Sequence, residues 1–137
     1  MFALVKILGG GRNVPEPKHY TLTETVSVRY GTPVALAGGK LTPLTSASTV
    51  PATHLVMADA EGREVLCARI TPDMIFETRV SAAPAAMRAG TEYALSADGQ
   101  GVSATAVSGS VRGACLYDTC GAKKSGDALL VYFQNGL

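Results

Sequence analysis

The side chains that could carry out chemistry are few in this chain of 137 residues. Of its two histidines, His54 has serines before it (Ser46 and Ser48) and a carboxylate after it (Asp59). Serine, histidine and aspartate make up a hydrolase triad, in which the histidine takes the proton of the serine hydroxyl. None of the strand–turn–helix signatures that expose a nucleophilic serine accompanies them. We therefore expect His54 to be a loop or strand-edge residue and the protein not to be an enzyme.

Acidic residues and cysteines offer no recognisable metal site. The three acidic residues of the segment Asp59–Glu64 do not have the spacing of a calcium-binding loop. Cys67, Cys115 and Cys120 lack a CxxC spacing and have no histidine nearby, so a zinc site would be short of ligands. We expect no metal and no cofactor, and three reduced thiols. Whether Cys115 and Cys120 pair stays open, because a disulfide needs their Cα atoms within about 7 Å.

Composition favours one domain that is docked on something else. Hydrophobic residues make up 47% of the chain and charged residues 17%, against about 25% charged residues in ordinary domains. Such a surface exposes apolar patches, which mark interaction sites, so we expect a homo-oligomer or a docked protein. The net charge of +1 predicts no nucleic-acid partner. No apolar run approaches a membrane span, and Lys6 interrupts the apolar start, so we expect a soluble protein made in the cytoplasm.

The chain from Thr25 onward has the pattern of an all-β domain. Apolar and polar residues alternate in short runs separated by Gly, Pro, Asp and Ser, which predicts about eight short strands. Nine candidate runs have this pattern, at residues 26–30, 34–37, 55–57, 64–70, 75–80, 93–97, 102–106, 111–117 and 129–133. Asp98–Gly101 predicts a hairpin turn, and Ser81–Ala89 predicts at most one helical turn. The expected fold is a small β-sandwich or barrel.

Residues 1–24 differ from the single β domain expected at residues 25–137. Gly9–Gly11 predicts a hinge, and Pro15 and Pro17 each favour extended backbone before them. This segment is predicted to be an extended N-terminal arm. We favour an arm pinned against the body or a neighbour, because the apolar side chains of Phe2–Leu8 are poorly accommodated by water; a disordered leader is the alternative.

An ordered set of motifs runs through most of the chain. It comprises Asn13–Pro17, Gly31–Leu36, Gly39–Thr42, Pro51–Thr53 and the ending Gly126–Phe133. Together these stretches resemble the head decoration, or capsid cement, proteins of tailed bacteriophages. The resemblance implies a structural virion protein, made in the host cytoplasm, that binds the outside of an assembled capsid, often as a trimer, and stabilises the shell. Its expected partners are the major capsid protein and further copies of itself.

The arm is the expected docking element, since an extended segment can add a strand to a neighbouring sheet edge. Its expected partner-binding residues are Phe2, Leu4, Asn13, Val14, Pro15 and Glu16. Deletion of Met1–Pro17 is expected to abolish shell binding while the body stays folded. Two alternatives remain: a phage tail or baseplate β module, and a small-ligand-binding β barrel. The barrel alternative requires a polar constellation inside the barrel, and the alternating faces of the predicted strands show none.

Overall fold

Eleven β-strands in two sheets form the fold in the computed structural model, which describes residues 1–8 and 15–134. None of these described residues is in a helix, which confirms the predicted all-β fold. The strands are β1 (Ala3–Ile7), β2 (Lys18–Val28), β3 (Pro33–Ala37), β4 (Lys40–Pro43), β5 (His54–Val56), β6 (Ala60–Arg69), β7 (Met74–Arg79), β8 (Glu92–Leu95), β9 (Val102–Ala106), β10 (Ala114–Asp118) and β11 (Ala128–Tyr132).

The six-stranded sheet has the order β1-β7-β11-β10-β8-β9, with antiparallel pairing throughout. Strand β11 lies in its middle, as its apolar sequence predicts, although only Leu129 and Val131 are fully buried. The hairpin of β8 and β9 also forms where it is predicted, with Leu95 opposite Val102. In its turn, Gly99 has a φ of 70°, a left-handed conformation that favours glycine.

The five-stranded sheet has the order β2-β6-β5-β3-β4 and curls until its two outer strands approach each other. The backbone N–H of Thr23 in β2 donates to the carbonyl of Gly39, beside β4, at 2.7 Å, and the Thr23 hydroxyl donates to the same oxygen at 3.1 Å. These bonds nearly close a small barrel. Its interior is filled by side chains, as expected for so few strands: Leu22, Val28, Val34, Leu41, Val56, Val65 and Cys67.

The larger core lies against the six-stranded sheet and includes three phenylalanines. The Phe133 ring lies 5.3 Å from that of Phe2 and 5.5 Å from that of Phe76, measured between ring centroids. All three side chains are at most 1% exposed. Burying one such side chain stabilises a fold by about 1.5–3 kcal/mol, so this cluster joins the N-terminal residues firmly to the end of the chain.

Two segments differ from their predicted structure. Lys40–Pro43 is a strand where the composition predicts a loop, because the turn at Gly38 and Gly39 (φ 59° and 76°) places Leu41 opposite Leu36 and buries it inside the barrel. Strand β6 begins at Ala60, where Asp59 and the residues after it predict a turn. Pairing with the far strand β2 extends β6 over these polar residues, and a local pattern carries no signal for such pairing.

The arm and the segment 81–89 also differ in detail from expectation. Strand β2 begins at Lys18, so it crosses the boundary expected between residues 24 and 25. In the second segment, the Met87 N–H donates to the Pro84 carbonyl at 3.0 Å. This bond closes a single turn that does not continue as a helix, and burial of Met87 in the larger core holds it in place.

Candidate functional site

Phe2 anchors the N-terminal strand in the body of this chain. Its side chain is fully buried, and its backbone N–H donates to the Gly31 carbonyl at 2.9 Å. Because Phe2 fills its own core, its side chain is not available to a partner in this conformation, and we correct its expected role from partner contact to internal anchor. Deletion of Met1–Pro17 would remove this anchor, so we now expect that deletion to destabilise the body.

Strand β1 is one of the two edge strands of the six-stranded sheet. Its pairing with β7 shifts between Leu4 and Lys6, so Val5 occupies a bulge. Leu4 is partly buried and packs against the larger core, whereas Val5 is 49% and Leu8 37% exposed. Exposed apolar side chains beside an open strand edge are suited to contact another molecule. We call Val5, Leu8 and the outer edge of β1 the β1 edge surface.

A cleft of about 650 Å³ opens at one end of the five-stranded barrel. Its walls come from four strands: Lys18 and Tyr20 in β2, Leu36 in β3, His54 in β5 and Arg69 in β6. The chain just before β2 and the residue just before β5 complete the lining. The mouths of β-barrels are common places for ligand sites, and we call this one the barrel-mouth cleft.

The strand registers explain why these side chains converge. Tyr20 lies opposite Val65, and His54 lies opposite Arg69. Opposed residues on antiparallel strands share a face, and Val65 and its neighbour Cys67 are buried inside the barrel. Tyr20, His54 and Arg69 therefore continue the inner face of the barrel to its open end, where the lining changes from apolar to polar. A polar constellation is thus present, contrary to the expectation from the alternating faces.

His54 is held by hydrogen bonds on both ring nitrogens. Its Nε2 lies 3.2 Å from the Tyr20 hydroxyl, and its Nδ1 lies 2.9 Å from Oγ1 of Thr53. The same Thr53 oxygen accepts the Leu36 N–H at 2.9 Å and donates to the Val34 carbonyl at 3.4 Å. With the Thr53 hydroxyl donating to Val34, Nδ1–H of His54 donates to Thr53; in the neutral ring Nε2 then carries no proton and accepts the Tyr20 O–H. This arrangement requires a neutral imidazole.

The surroundings of His54 favour the same neutral form. Burial of the ring, and secondly the positive charge of Arg69, hold the pKa of His54 below its usual value. Both causes disfavour the charged ring, so His54 is uncharged at neutral pH. Its role in the barrel-mouth cleft is to position the Tyr20 hydroxyl rather than to carry charge.

The barrel-mouth cleft carries an excess of positive charge. Lys18 and Arg69 each contribute one positive charge, Glu16 contributes one negative charge, and His54 is neutral, which leaves one positive charge in excess. Within the described part of the chain, neither Lys18 nor Arg69 has an acidic partner within salt-bridge distance. Unpaired cations beside a partly buried aromatic hydroxyl are chemically suited to receive an anion.

The residues expected in the partner-binding arm are distributed over three places. Phe2 and Leu4 lie in or against the larger core, and Pro15 and Glu16 line the barrel-mouth cleft. Asn13 and Val14 lie outside the described residues. No local pattern in the sequence selects Lys18, Tyr20 or Arg69, because their proximity depends on the pairing of β2, β5 and β6.

The structure does not assemble a triad around His54. Its ring nitrogens are occupied by Tyr20 and Thr53, whereas Asp59 accepts the Tyr30 N–H at 2.7 Å. The hydroxyl of Ser48 accepts the Thr45 N–H at 2.8 Å. None of these serine or aspartate residues lines the barrel-mouth cleft.

The other candidates for chemistry are dispersed. No group of three or more metal-ligating side chains occurs among residues 1–8 and 15–134. The three cysteines are free: Cys67 and Cys115 are buried and Cys120 is exposed. Burial raises the pKa of the Cys67 thiol to about 11, and burial followed by nearby Glu92 raises that of Cys115. These two thiols are therefore protonated and weakly reactive at neutral pH.

Comparisons with known proteins leave the family open. No protein-family model matches the chain, and no curated protein matches it either. None of the described residues belongs to a helix long and apolar enough to cross a membrane. A functional assignment therefore rests on the two surfaces defined above and on the motifs of the sequence.

Proposed function

We propose that this protein is a structural virion protein that binds the outside of a bacteriophage capsid and stabilises the shell as a trimer. The motif series from Asn13 to Phe133, which resembles capsid decoration proteins, motivates the proposal. The observation that carries it is the β1 edge surface: an N-terminal strand fixed by Phe2 that still presents Val5 and Leu8 to solvent. The major capsid protein and neighbouring copies are the proposed partners.

The bulge at Val5 determines how this surface would make contact. A bulge interrupts the regular row of backbone donors and acceptors and turns a strand edge away from extended pairing. The interface we propose therefore depends mainly on the apolar side chains of Val5 and Leu8, with pairing limited to a short part of the edge. Asn13–Glu16 remains part of the proposed docking arm on the strength of its sequence.

Symmetric association would cover the apolar side chains that a single copy exposes. Besides Val5 and Leu8, these include Tyr30 at 40% and Val50 at 45% exposed. Copies related by a closed rotation bury the same patch on each protomer. The low charge of the chain, 17% of residues, reduces the repulsion and desolvation that such burial has to overcome.

Co-sedimentation tests the proposal directly. Full-length protein is mixed with capsids from its source that lack it, and saturable binding at a fixed ratio to the major capsid protein is expected. The double variant Val5→Glu/Leu8→Glu should lose binding and remain folded, because both side chains are exposed. Ala82→Glu/Ala86→Glu, which adds two charges at exposed positions outside the proposed contacts, serves as the matched control. Absence of binding by the unaltered protein to both expanded and unexpanded shells would refute the capsid role.

The alternatives give different outcomes in the same assay. A tail or baseplate module would sediment with tail structures and not with shells.

The ligand-binding barrel is supported by the barrel-mouth cleft, whose Tyr20, His54 and Arg69 face a concave space of about 650 Å³. That volume falls within the range of about 300–1,000 Å³ typical of small-molecule sites. A cleft of this kind is compatible with a capsid role, since it lies on the other sheet from β1.

A further inference from the structure

We propose that the barrel-mouth cleft binds a small organic anion, with its carboxylate or phosphate at Arg69 and Lys18 and its apolar part against Tyr20 and Leu36. The proposed site consists of the five-stranded barrel and of Pro15 and Glu16 just before it. Binding of the anion does not require docking on a capsid.

The charges at the cleft select the sign of the ligand. Arg69 and Lys18 both line it and have no acidic partner among the described residues within salt-bridge distance. Arg69 extends from the end of β6, directly opposite His54, while Lys18 begins β2 on the other side of β6. A guanidinium binds a carboxylate or phosphate through two parallel N–H donors, and an ammonium adds a point charge. Glu16 reduces the positive charge of the cleft without cancelling it.

The polar groups deeper in the cleft determine how a bound ligand is oriented. The Tyr20 hydroxyl gives its proton to Nε2 of His54, so its oxygen retains a lone pair for a donor on the ligand. Thr53 is not free to take part, because its hydroxyl already bonds His54, Leu36 and Val34. We therefore expect the ligand to carry a hydroxyl or N–H group in addition to its anionic group.

Apolar surface makes up the remainder of the contact. Leu36 and the face of Tyr20 are partly buried and pack against the barrel interior, and Pro15 lies at the rim. A ligand with a ring or short aliphatic portion would cover this surface and gain affinity in proportion to the apolar area buried. An inorganic anion would satisfy only the charged side of the cleft.

Nuclear magnetic resonance of the ¹⁵N-labelled full chain tests this inference with three probes: sodium benzoate, sodium acetate and inorganic phosphate. Benzoate is expected to give saturable shifts at the amides of Tyr20, Leu36 and His54, and to bind more tightly than acetate. Arg69→Gln should weaken benzoate binding about tenfold, as expected for loss of a charge-assisted contact. Arg63→Gln removes the same charge from the same strand away from the cleft, and should change the affinity less than about twofold.

Each result of these titrations supports or overturns a stated part of the proposal. Phosphate binding at the same amides, lost in Arg69→Gln, would support the anion site and favour phosphate as its charged group. Shifts scattered over the surface, or an equal loss in Arg63→Gln, would reduce the effect to general charge screening and overturn the site. Benzoate binding that equals acetate binding would overturn the apolar part of the proposal. Amides remote from the cleft report whether each variant is folded, and none of these readouts requires capsids.

Discussion

The hydroxyl of Tyr20 lies 3.2 Å from Nε2 of His54, and their rings meet edge to face with centroids 5.2 Å apart. Tyr20 is in β2 and His54 is in β5, and β6 lies between those strands in the sheet. The contact therefore spans the inside of the barrel mouth rather than two adjacent strands. It ties the start of β2 to the part of the barrel where Arg69 enters the cleft.

Arg69→Gln should raise the pKa of His54. Burial is the main cause of its low pKa, and the Arg69 charge is the second, so removing the charge relieves part of the effect and leaves the pKa below its usual value. An NMR titration of the His54 Cε1 proton measures the change. Arg63→Gln is the control and should leave the pKa of His54 unchanged. An unaltered pKa in Arg69→Gln would mean that the two side chains do not interact across the cleft.

Stability should fall as the pH decreases from about 6.5 toward 5. Because the pKa of His54 is lower in the folded protein, the unfolded chain binds the proton more readily. The stabilisation is therefore complete above the pKa that His54 has in the unfolded chain. It is lost as the pH falls through the lower pKa that His54 has in the folded protein. Arg69, Lys18 and Glu16 are the charged groups that face the ring, and the two cations outweigh the carboxylate in this range.

Urea unfolding measured at several pH values tests this expectation. His54→Gln should flatten the dependence between pH 6.5 and 5 (about the range in which histidine titrates). Carboxylates act at more acidic pH: hydrogen bonds from Ser96 and then Gln100 lower the pKa of Asp98. A dependence that is equally steep in the variant would assign it to groups other than His54.

Phe2→Ala should destabilise the fold by about 3–5 kcal/mol. The side chain is fully buried against Phe133, and its removal leaves a cavity between the N-terminal segment and the end of the chain. Leu8→Ala removes a more exposed apolar side chain and should change stability by less than about 0.5 kcal/mol. Urea denaturation gives both values. A loss below about 1 kcal/mol for Phe2→Ala would show that the cluster repacks.

Gly99→Ala should destabilise the fold more than Gly109→Ala. Both glycines have positive φ, 70° and 61°, so alanine strains the backbone at each, by about 1–2 kcal/mol. At Gly99 the added Cβ would also lie 2.0 Å from the Leu44 carbonyl oxygen, whereas at Gly109 the space is open. The difference between the two variants in urea midpoint therefore measures the close approach alone. Equal midpoints would mean that the backbone at Leu44 moves away without cost.

The parts of the fold that sequence could predict are those determined by short-range patterns. Asp98 and Gly99 specify a tight turn, and the apolar residues on either side, including Leu95 and Val102, set the hairpin register. The apolar run of β11 likewise predicts a central strand buried on both faces; the strand is central, between β7 and β10, but only the face of Leu129 and Val131 is fully buried. These signals lie within a few residues of one another, and the structure has both elements where they were expected.

The barrel-mouth cleft could not be predicted in this way. Lys18 and Tyr20 follow two prolines and carry no strand signal of their own, and β2 forms because β6, far along the chain, pairs with it. The position of Arg69 opposite His54 follows from the register of β5 and β6. A register across a long loop depends on the total burial of both faces, which no local pattern contains. The burial of Phe2 could not be predicted either, because it depends on packing against Phe133, which is far along the chain.

The packing of Phe2 on Phe133 has a consequence for the speed of folding. The two rings are far apart along the chain, so their contact closes a long loop. Strand β1 likewise pairs with a distant partner, since Leu4 lies opposite Phe76. A fold dominated by such distant pairings loses loop entropy before its contacts form, and it therefore folds slowly. We expect Phe2 and Phe133 to come together late in folding, after the local hairpin of β8 and β9.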